Sequence, residues 1–245
     1  MNLDLLKLRL AKLSTSLCHP NYWGALAAGV APAIEHRAVL RSLSVDGVID
    51  VGANRGQFTL ACRFAWPGLR IVAFEPIPAE AVIFRKVHGR DQQVQLIESA
   101  LGEIRGEATL HLSKSADSSS LLPIGRRQIA LFKNTAEVGT LTVPVNRLDD
   151  FAPYWNGQSR LLLKLDVQGF ELSVLRGALE TLRSCAYVYA ECSEVALYEG
   201  QALRPEVESF LQSQHFTLKS RGNCQYDAGE LIQADYLFAR ENRLA

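Results

Sequence analysis

The 245-residue sequence has no excess of either charge, since 26 Lys and Arg are matched by 26 Asp and Glu. That balance argues against a protein that finds nucleic acid or an anionic membrane through bulk electrostatics. Cysteine is sparse and odd in number, five residues, and none stands in a Cys-x-x-Cys pair, so zinc-site spacing is absent. No signal peptide is readable, because Lys7, Arg9 and Lys12 interrupt the only early leucine-rich stretch. The uncharged run Leu13 to Ile34 is long enough to cross a bilayer, but Pro20, Asn21 and Pro32 make it a poor membrane helix. No transmembrane segment is expected, and a reducing cytoplasm is the expected compartment. Internal repeats and domain linkers are lacking as well.

What is present is an ordinary globular composition, 48% hydrophobic and 21% charged, in a chain long enough for one large core without disulfide or metal. Leu3, Leu6, Leu10 and Leu13 recur at helical spacing. They predict an amphipathic helix within an N-terminal segment, residues 1–44, that packs on the core or on a second subunit, as in a homodimer. From residue 45 to 245 the rhythm changes. Short apolar strands at 48–51, 70–74, 94–97, 161–165 and 187–190 alternate with helices at 57–66, 78–87, 171–182 and 204–214. That alternation predicts a doubly wound α/β sheet built from βαβ units. Segments 216–219 and 234–239 read as a closing antiparallel pair. A central insertion, about 106–147, carries two strand-like stretches, 108–112 and 140–145, around a polar tract from Ser113 to Ser120.

Chemistry concentrates at the strand ends. Val48-Ile49-Asp50-Val51-Gly52-Ala53-Asn54-Arg55-Gly56 is a strand, a small-residue turn and a helix start, the form of a nucleotide-type binding loop. It lacks the middle glycine of a dinucleotide fingerprint and the Gly-Lys-Ser/Thr of a phosphate loop. Asp50 would repel a pyrophosphate and attract a cation. S-adenosylmethionine meets that requirement, with an ammonium, a sulfonium and no phosphate. Its ribose diol needs an acceptor, and Glu75, in Phe74-Glu75-Pro76 at the end of the second strand, is placed to supply one. Alternatively Asp50 caps a helix and Glu75 is a surface acid.

Asp166 ends the fourth core strand in Lys164-Leu165-Asp166-Val167-Gln168-Gly169-Phe170-Glu171. It is placed to hold the methionine ammonium, orient an acceptor hydroxyl or bind a metal. Lys164 faces the same side of its strand and is a substrate candidate or half of a buried Lys–Asp pair. Glu191, at the end of the fifth strand, is a further substrate candidate. His36 is a candidate base for a hydroxyl of high pKa. Ser119 and Ser120 in the polar tract are candidate acceptor contacts.

These residues carry a family resemblance. The chain resembles the FkbM family of S-adenosylmethionine-dependent methyltransferases through Val48–Asn54, Gly56-Gln57-Phe58-Thr59, Phe74-Glu75-Pro76, Ala100-Leu101-Gly102 and Lys164–Glu171 running on through Ala178. Tyr198-Glu199-Gly200 and Asp235-Tyr236-Leu237-Phe238 continue the match. The resemblance implies a class I methyltransferase Rossmann-like sheet of order 3-2-1-4-5-7-6 with the last strand antiparallel. It also implies that Asp50, Gly52, Asn54 and Gly56 line the methionine side of the cofactor, with Gln57 a further cofactor-binding residue. Glu75, with Pro76, would take the ribose, and Ser99 and Ala100 would border the adenine. Gln168 stands where many relatives carry Glu, which weakens its reading as a charged metal ligand, and a divalent metal requirement stays open. Family acceptors are hydroxyls, so O-methylation of a sugar on a glycan, glycolipid or lipo-oligosaccharide is expected. The alternatives are a non-carbohydrate natural product, another small-molecule acceptor, or a non-catalytic cofactor-binding protein.

Overall fold

Strand order follows from which segments are apolar on both faces. In the computed structural model, which describes Lys12 and residues 23–241, β1 (Gly47–Val51) and β7 (Leu161–Leu165) are buried at every position. They sit side by side at the centre of the main sheet. Outward from β1 lie β2 (Arg70–Phe74) and β3 (Val94–Ile97), all parallel. On the other side lie β8 (Cys185–Ser193), β10 (Glu230–Arg240) and β9 (Phe216–Asp227). Only β10 runs antiparallel, to both of its neighbours. Numbered within this seven-stranded sheet alone, the order is 3-2-1-4-5-7-6, as the resemblance implies. The closing pair is longer than expected, with register shifts along it.

The insertion forms its own three-stranded sheet, in which β5 (Gly106–Ser113) and β6 (Glu137–Asn146) pair antiparallel and a short β4 (Ala100–Leu101) adds in parallel. The alternation of side chains along the central strands builds two layers of core. Ile49, Val51, Leu161, Leu163 and Leu165 pack with Val174, Leu175, Leu182, Val207 and Leu211. Those residues lie on α6 (Glu171–Arg176), α7 (Leu179–Ser184) and α8 (Arg204–Ser213). On the other face Val48, Ile71 and Leu162 meet Phe58, Ala61 and Cys62 of α3 (Gln57–Ala65), with Leu40 of α2 (Arg37–Ser42). Each fully buried leucine in these layers contributes about 1.5–3 kcal/mol. α1 (Trp23–Ala27) lies against α4 (Pro78–His88), burying Ala25 with Leu60. α5 (Arg126–Leu131) sits within the insertion. The leucines of the expected N-terminal helix, Leu3, Leu6, Leu10 and Leu13, fall outside the described residues.

One expected helix is two. The pattern from 171 to 182 breaks after Arg176. Gly177 packs against the Gly102 carbonyl so closely that a methyl group there would overlap it. Asp149 restarts the helix by accepting from the Thr181 backbone N–H and hydroxyl, both at 2.8 Å, an arrangement that satisfies donors a helix start leaves unpaired.

Candidate active site

The carboxyl ends of β1, β2 and β7 surround a cleft. Gly52 opens the turn after β1 at φ +74°, and a side chain there would overlap the Asp166 carbonyl oxygen. The two strand ends therefore come together only around glycine. Asn54, also left-handed at φ 48°, donates its backbone N–H to Glu75 Oε2 at 2.8 Å, and Ile77 N–H donates to Oε1 at 2.8 Å. Glu75 lines the cleft while only 4% exposed. Burial, opposed in part by those two N–H groups, lifts its pKa to about 7. Each oxygen keeps a lone pair for a further donor.

Pro76, Ser99 and Ala100 also line this cleft. Ser99 is held by the amide of Asn146 at 2.9 Å. Ile77, Leu110 and Leu121 complete an apolar wall, and Leu110 comes from β5 of the insertion. Ser119 and Ser120 reach the same cleft from the polar tract. Ser120 Oγ donates to the Gln168 carbonyl at 2.7 Å.

Several expected residues lie elsewhere. Asp50 is fully buried and absent from the cleft lining. Its register partner on β7 is Lys164, so the two side chains share one face of the sheet. Lys164 Nζ sits 3.1 Å from Asp50 Oδ1, and Thr59 donates to Oδ2 at 2.8 Å. Burial alone would push Lys164 down, but Asp50 and Asp166 outweigh it and hold the ammonium above its ordinary range. The charge of Asp50 is thus balanced by Lys164 inside the sheet. Gly56 begins α3 at φ +87° against His88, whose Nε2 lies 3.1 Å from the Gly56 carbonyl. It shapes the loop without lining the cleft. Gln57 faces a neighbouring recess beside Asn54 and Asp117. His36 packs edge-on against Phe58 and Tyr189, with Nδ1 3.0 Å from the Tyr189 hydroxyl. Burial lowers its pKa despite the neighbouring Asp235. His36 lines neither the cleft nor the two recesses beside it.

Asp166 and Gln168 line the cleft and also a second, polar recess. The Gln168 backbone is left-handed at φ 53°, a conformation uncommon outside glycine. It points one amide nitrogen at two acids, Asp166 Oδ1 at 2.7 Å and Glu191 Oε2 at 2.9 Å. Tyr198 donates to its Oε1 at 2.8 Å, which sets the amide orientation. Glu171 braces the turn from behind, accepting from Val167 and Gly169 N–H at 3.2 and 3.1 Å. Burial raises Glu171 to about 7. Glu191 is pushed well above the carboxylate range by burial and then by Asp166, Asp235 and Glu171. Gln128, Gln225 and Gln233 in the second recess were not read as site residues. Glutamine has no motif value, and only the fold brings these three together.

The pattern of the Methyltransferase FkbM domain matches residues 50–218. The chain belongs to the FkbM methyltransferase family. It is an S-adenosylmethionine-dependent methyltransferase. The stretch that matches the family runs from Asp50 into β9, so it contains the cleft, the Gln168 turn and Glu191. The chain is 29% identical over 174 residues to the 2-O-methyltransferase NoeI of Sinorhizobium fredii, covering 68% of this chain and 72% of that one. It is 27% identical over 211 residues to the methyltransferase sdnD of Sordaria araneosa, covering 76% and 80%. Among solved structures, it is similar to magnesium protoporphyrin IX methyltransferase of Synechocystis PCC 6803, with a TM-score of 0.47, 9% identity and coverage of 85% and 81%.

The cleft of this FkbM protein suits the cofactor chemically. The spare lone pairs of Glu75 match a diol, and the apolar wall from Ile77, Ala100 and Leu110 matches a flat aromatic base. No three His, Cys, Asp or Glu side chains among the described residues converge as a metal site. Among the described residues no helix is long and apolar enough to cross a membrane.

Proposed function

We propose that the protein transfers the cofactor methyl group to a hydroxyl oxygen on a carbohydrate, within a glycan, glycolipid or lipo-oligosaccharide. The observation that carries this reading is the shared wall. Asp166 and Gln168 belong at once to the cleft with Glu75 and to a polar recess of amides and acids. A neutral, hydroxyl-rich acceptor matches such a lining. The name of NoeI, a 2-O-methyltransferase, supports oxygen as the target atom.

S-adenosylmethionine supplies an electrophilic methyl group on sulfonium. The chain's own residues hold and orient. Glu75 accepts from the ribose hydroxyls, Gly52 and Asn54 let backbone approach the ligand, and Ser99 and Ala100 border the base. Asp166 stands where the cleft meets the recess. Most of the rate advantage of such a displacement comes from alignment of the two reactants.

The test is incubation with labelled S-adenosylmethionine and a panel of glycans and glycolipids, followed by mass spectrometry of the products. A methyl group on a sugar oxygen is expected. Label on nitrogen, carbon or a carboxylate would refute the assignment of the acceptor class.

A further inference from the structure

The second recess adjoins the cleft where Asp166 and Gln168 form their common wall. Its lining is unlike a solvated surface in one respect. Gln128, on α5 of the insertion, is 3% exposed, yet its Oε1 has no hydrogen-bond partner. Buried side-chain acceptors are normally satisfied, and a half-turn of this unpartnered amide exchanges its oxygen and nitrogen at the recess wall. Glu191, near the end of β8, lines the same recess and is held from two sides. Gln168 Nε2 donates to Oε2 at 2.9 Å and Gln233 Nε2 donates to Oε1 at 3.1 Å. These two amides fix the rotation of the carboxyl while leaving each oxygen further acceptor capacity.

We propose that this recess is the acceptor site, that Gln128 hydrogen-bonds the acceptor, and that Glu191 is the catalytic base for the hydroxyl being methylated. This rests on the reading of the protein as a hydroxyl methyltransferase. The hydroxyl oxygen forms a bond to the methyl carbon as the carbon–sulfur bond breaks, and sulfur keeps that electron pair as a neutral thioether. The hydroxyl proton passes to a Glu191 oxygen and leaves later to water. No oxidant, reductant or metal is needed for the balance. His36 does not line the recess. Asp166, tied to Gln168 at 2.7 Å and 3.7 Å from Lys164, shapes the wall between the two ligands.

The test uses the full chain loaded with S-adenosylhomocysteine and, as probes, methyl glycosides of neutral hexoses, deoxyhexoses and N-acetylhexosamines. Saturation-transfer NMR reads glycoside binding without turnover. At least one glycoside is expected to bind, and Gln128→Leu should weaken it about tenfold. Gln225→Ala, at an exposed position of the same recess, should weaken it severalfold without risk to folding. Glu191→Gln should keep glycoside binding within about threefold and lose about 10²–10⁴-fold in turnover of that glycoside. The proposal is overturned if no glycoside binds, if the bound glycoside is not methylated by the wild type, if neither recess variant weakens binding, or if Glu191→Gln turns over normally. Affinity for S-adenosylhomocysteine separates the two layers of the argument. Its absence in the wild type defeats the methyltransferase reading, whereas normal affinity with any of those outcomes defeats the acceptor site alone.

Discussion

Acidification should loosen cofactor binding through one group, Glu75. Its carboxyl is raised to about 7 by burial, with the nearby Glu80 adding to the shift and the N–H groups of Ile77 and Asn54 and the charge of Lys164 opposing it. A protonated carboxyl has one oxygen carrying hydrogen, so it no longer accepts from both ribose hydroxyls. If only the carboxylate binds well, the apparent dissociation constant scales as one plus the proton concentration over the Glu75 acidity constant. Relative to its alkaline limit, affinity is then about 1.1-fold weaker at pH 8, about twofold at pH 7 and about elevenfold at pH 6. Between pH 8 and pH 6 the loss is about tenfold, or about 1.4 kcal/mol.

The assay is calorimetric titration with S-adenosylhomocysteine across that range, repeated in buffers of different ionisation enthalpy. At pH 7 the wild type should release about half a proton per cofactor bound. Glu171 also titrates near this window, so the control is Glu75→Gln. That variant should bind about 5–100-fold more weakly at pH 8, from loss of charge-assisted hydrogen bonds, and its affinity should be flat between pH 6 and 8. A wild-type affinity that does not change with pH, or a pH dependence that survives in Glu75→Gln, would remove Glu75 from ribose recognition.

Other perturbations separate structure from chemistry. Gly52→Ala forces a side chain into the Asp166 carbonyl at φ +74°, so a urea melt should show a loss of about 2–4 kcal/mol together with lost cofactor binding. Asp50→Asn removes the nearer of two carboxylates beside the buried Lys164 and leaves Asp166 at 3.7 Å, and its main effect should be a stability loss of about 1–3 kcal/mol. The double variant Asp50→Leu with Lys164→Met should recover much of that loss, and a purely additive double-mutant cycle would contradict the ion pair. Glu171→Gln keeps a carbonyl oxygen for the Val167 and Gly169 N–H groups. Folding lifts the Glu171 pKa from 4.5 to about 7, so its ionisation penalty is absent below about pH 4.5 and complete above about pH 7. The variant should therefore gain about 1–3 kcal/mol in thermal melts at pH 8 and nothing at pH 4.

The scaffold was legible because strands buried on both faces must be continuous apolar runs, and Leu161–Leu165 is nothing else. Strand ends were legible for a related reason. A turn such as Gly52-Ala53-Asn54 tolerates few residues, and it brands the site beside it. The role of Asp50 was not legible. Its partner, Lys164, lies far along the chain and becomes a neighbour only when β7 docks beside β1, so a carboxylate that reads as open to a cation is already paired. Periodicity likewise ran through Gly177, where tertiary contact with Gly102 breaks the helix.

The acceptor side was the least legible part, and the insertion explains why. Leu110 walls the cofactor cleft, Ser120 pins the Gln168 turn, and Gln128 reaches the second recess. All three come from residues 106–147, which carry neither a βα rhythm nor a motif. On the proposed reading, cofactor recognition rests on strand ends constrained by backbone geometry, and acceptor recognition on the insertion. Replacing the segment from Ser113 to Phe132 with that of another FkbM protein should change the acceptor and leave affinity for S-adenosylhomocysteine within about threefold. Product analysis and calorimetry read the two effects separately. A chimera that folds, binds the cofactor and still methylates the original acceptor would place specificity outside the insertion.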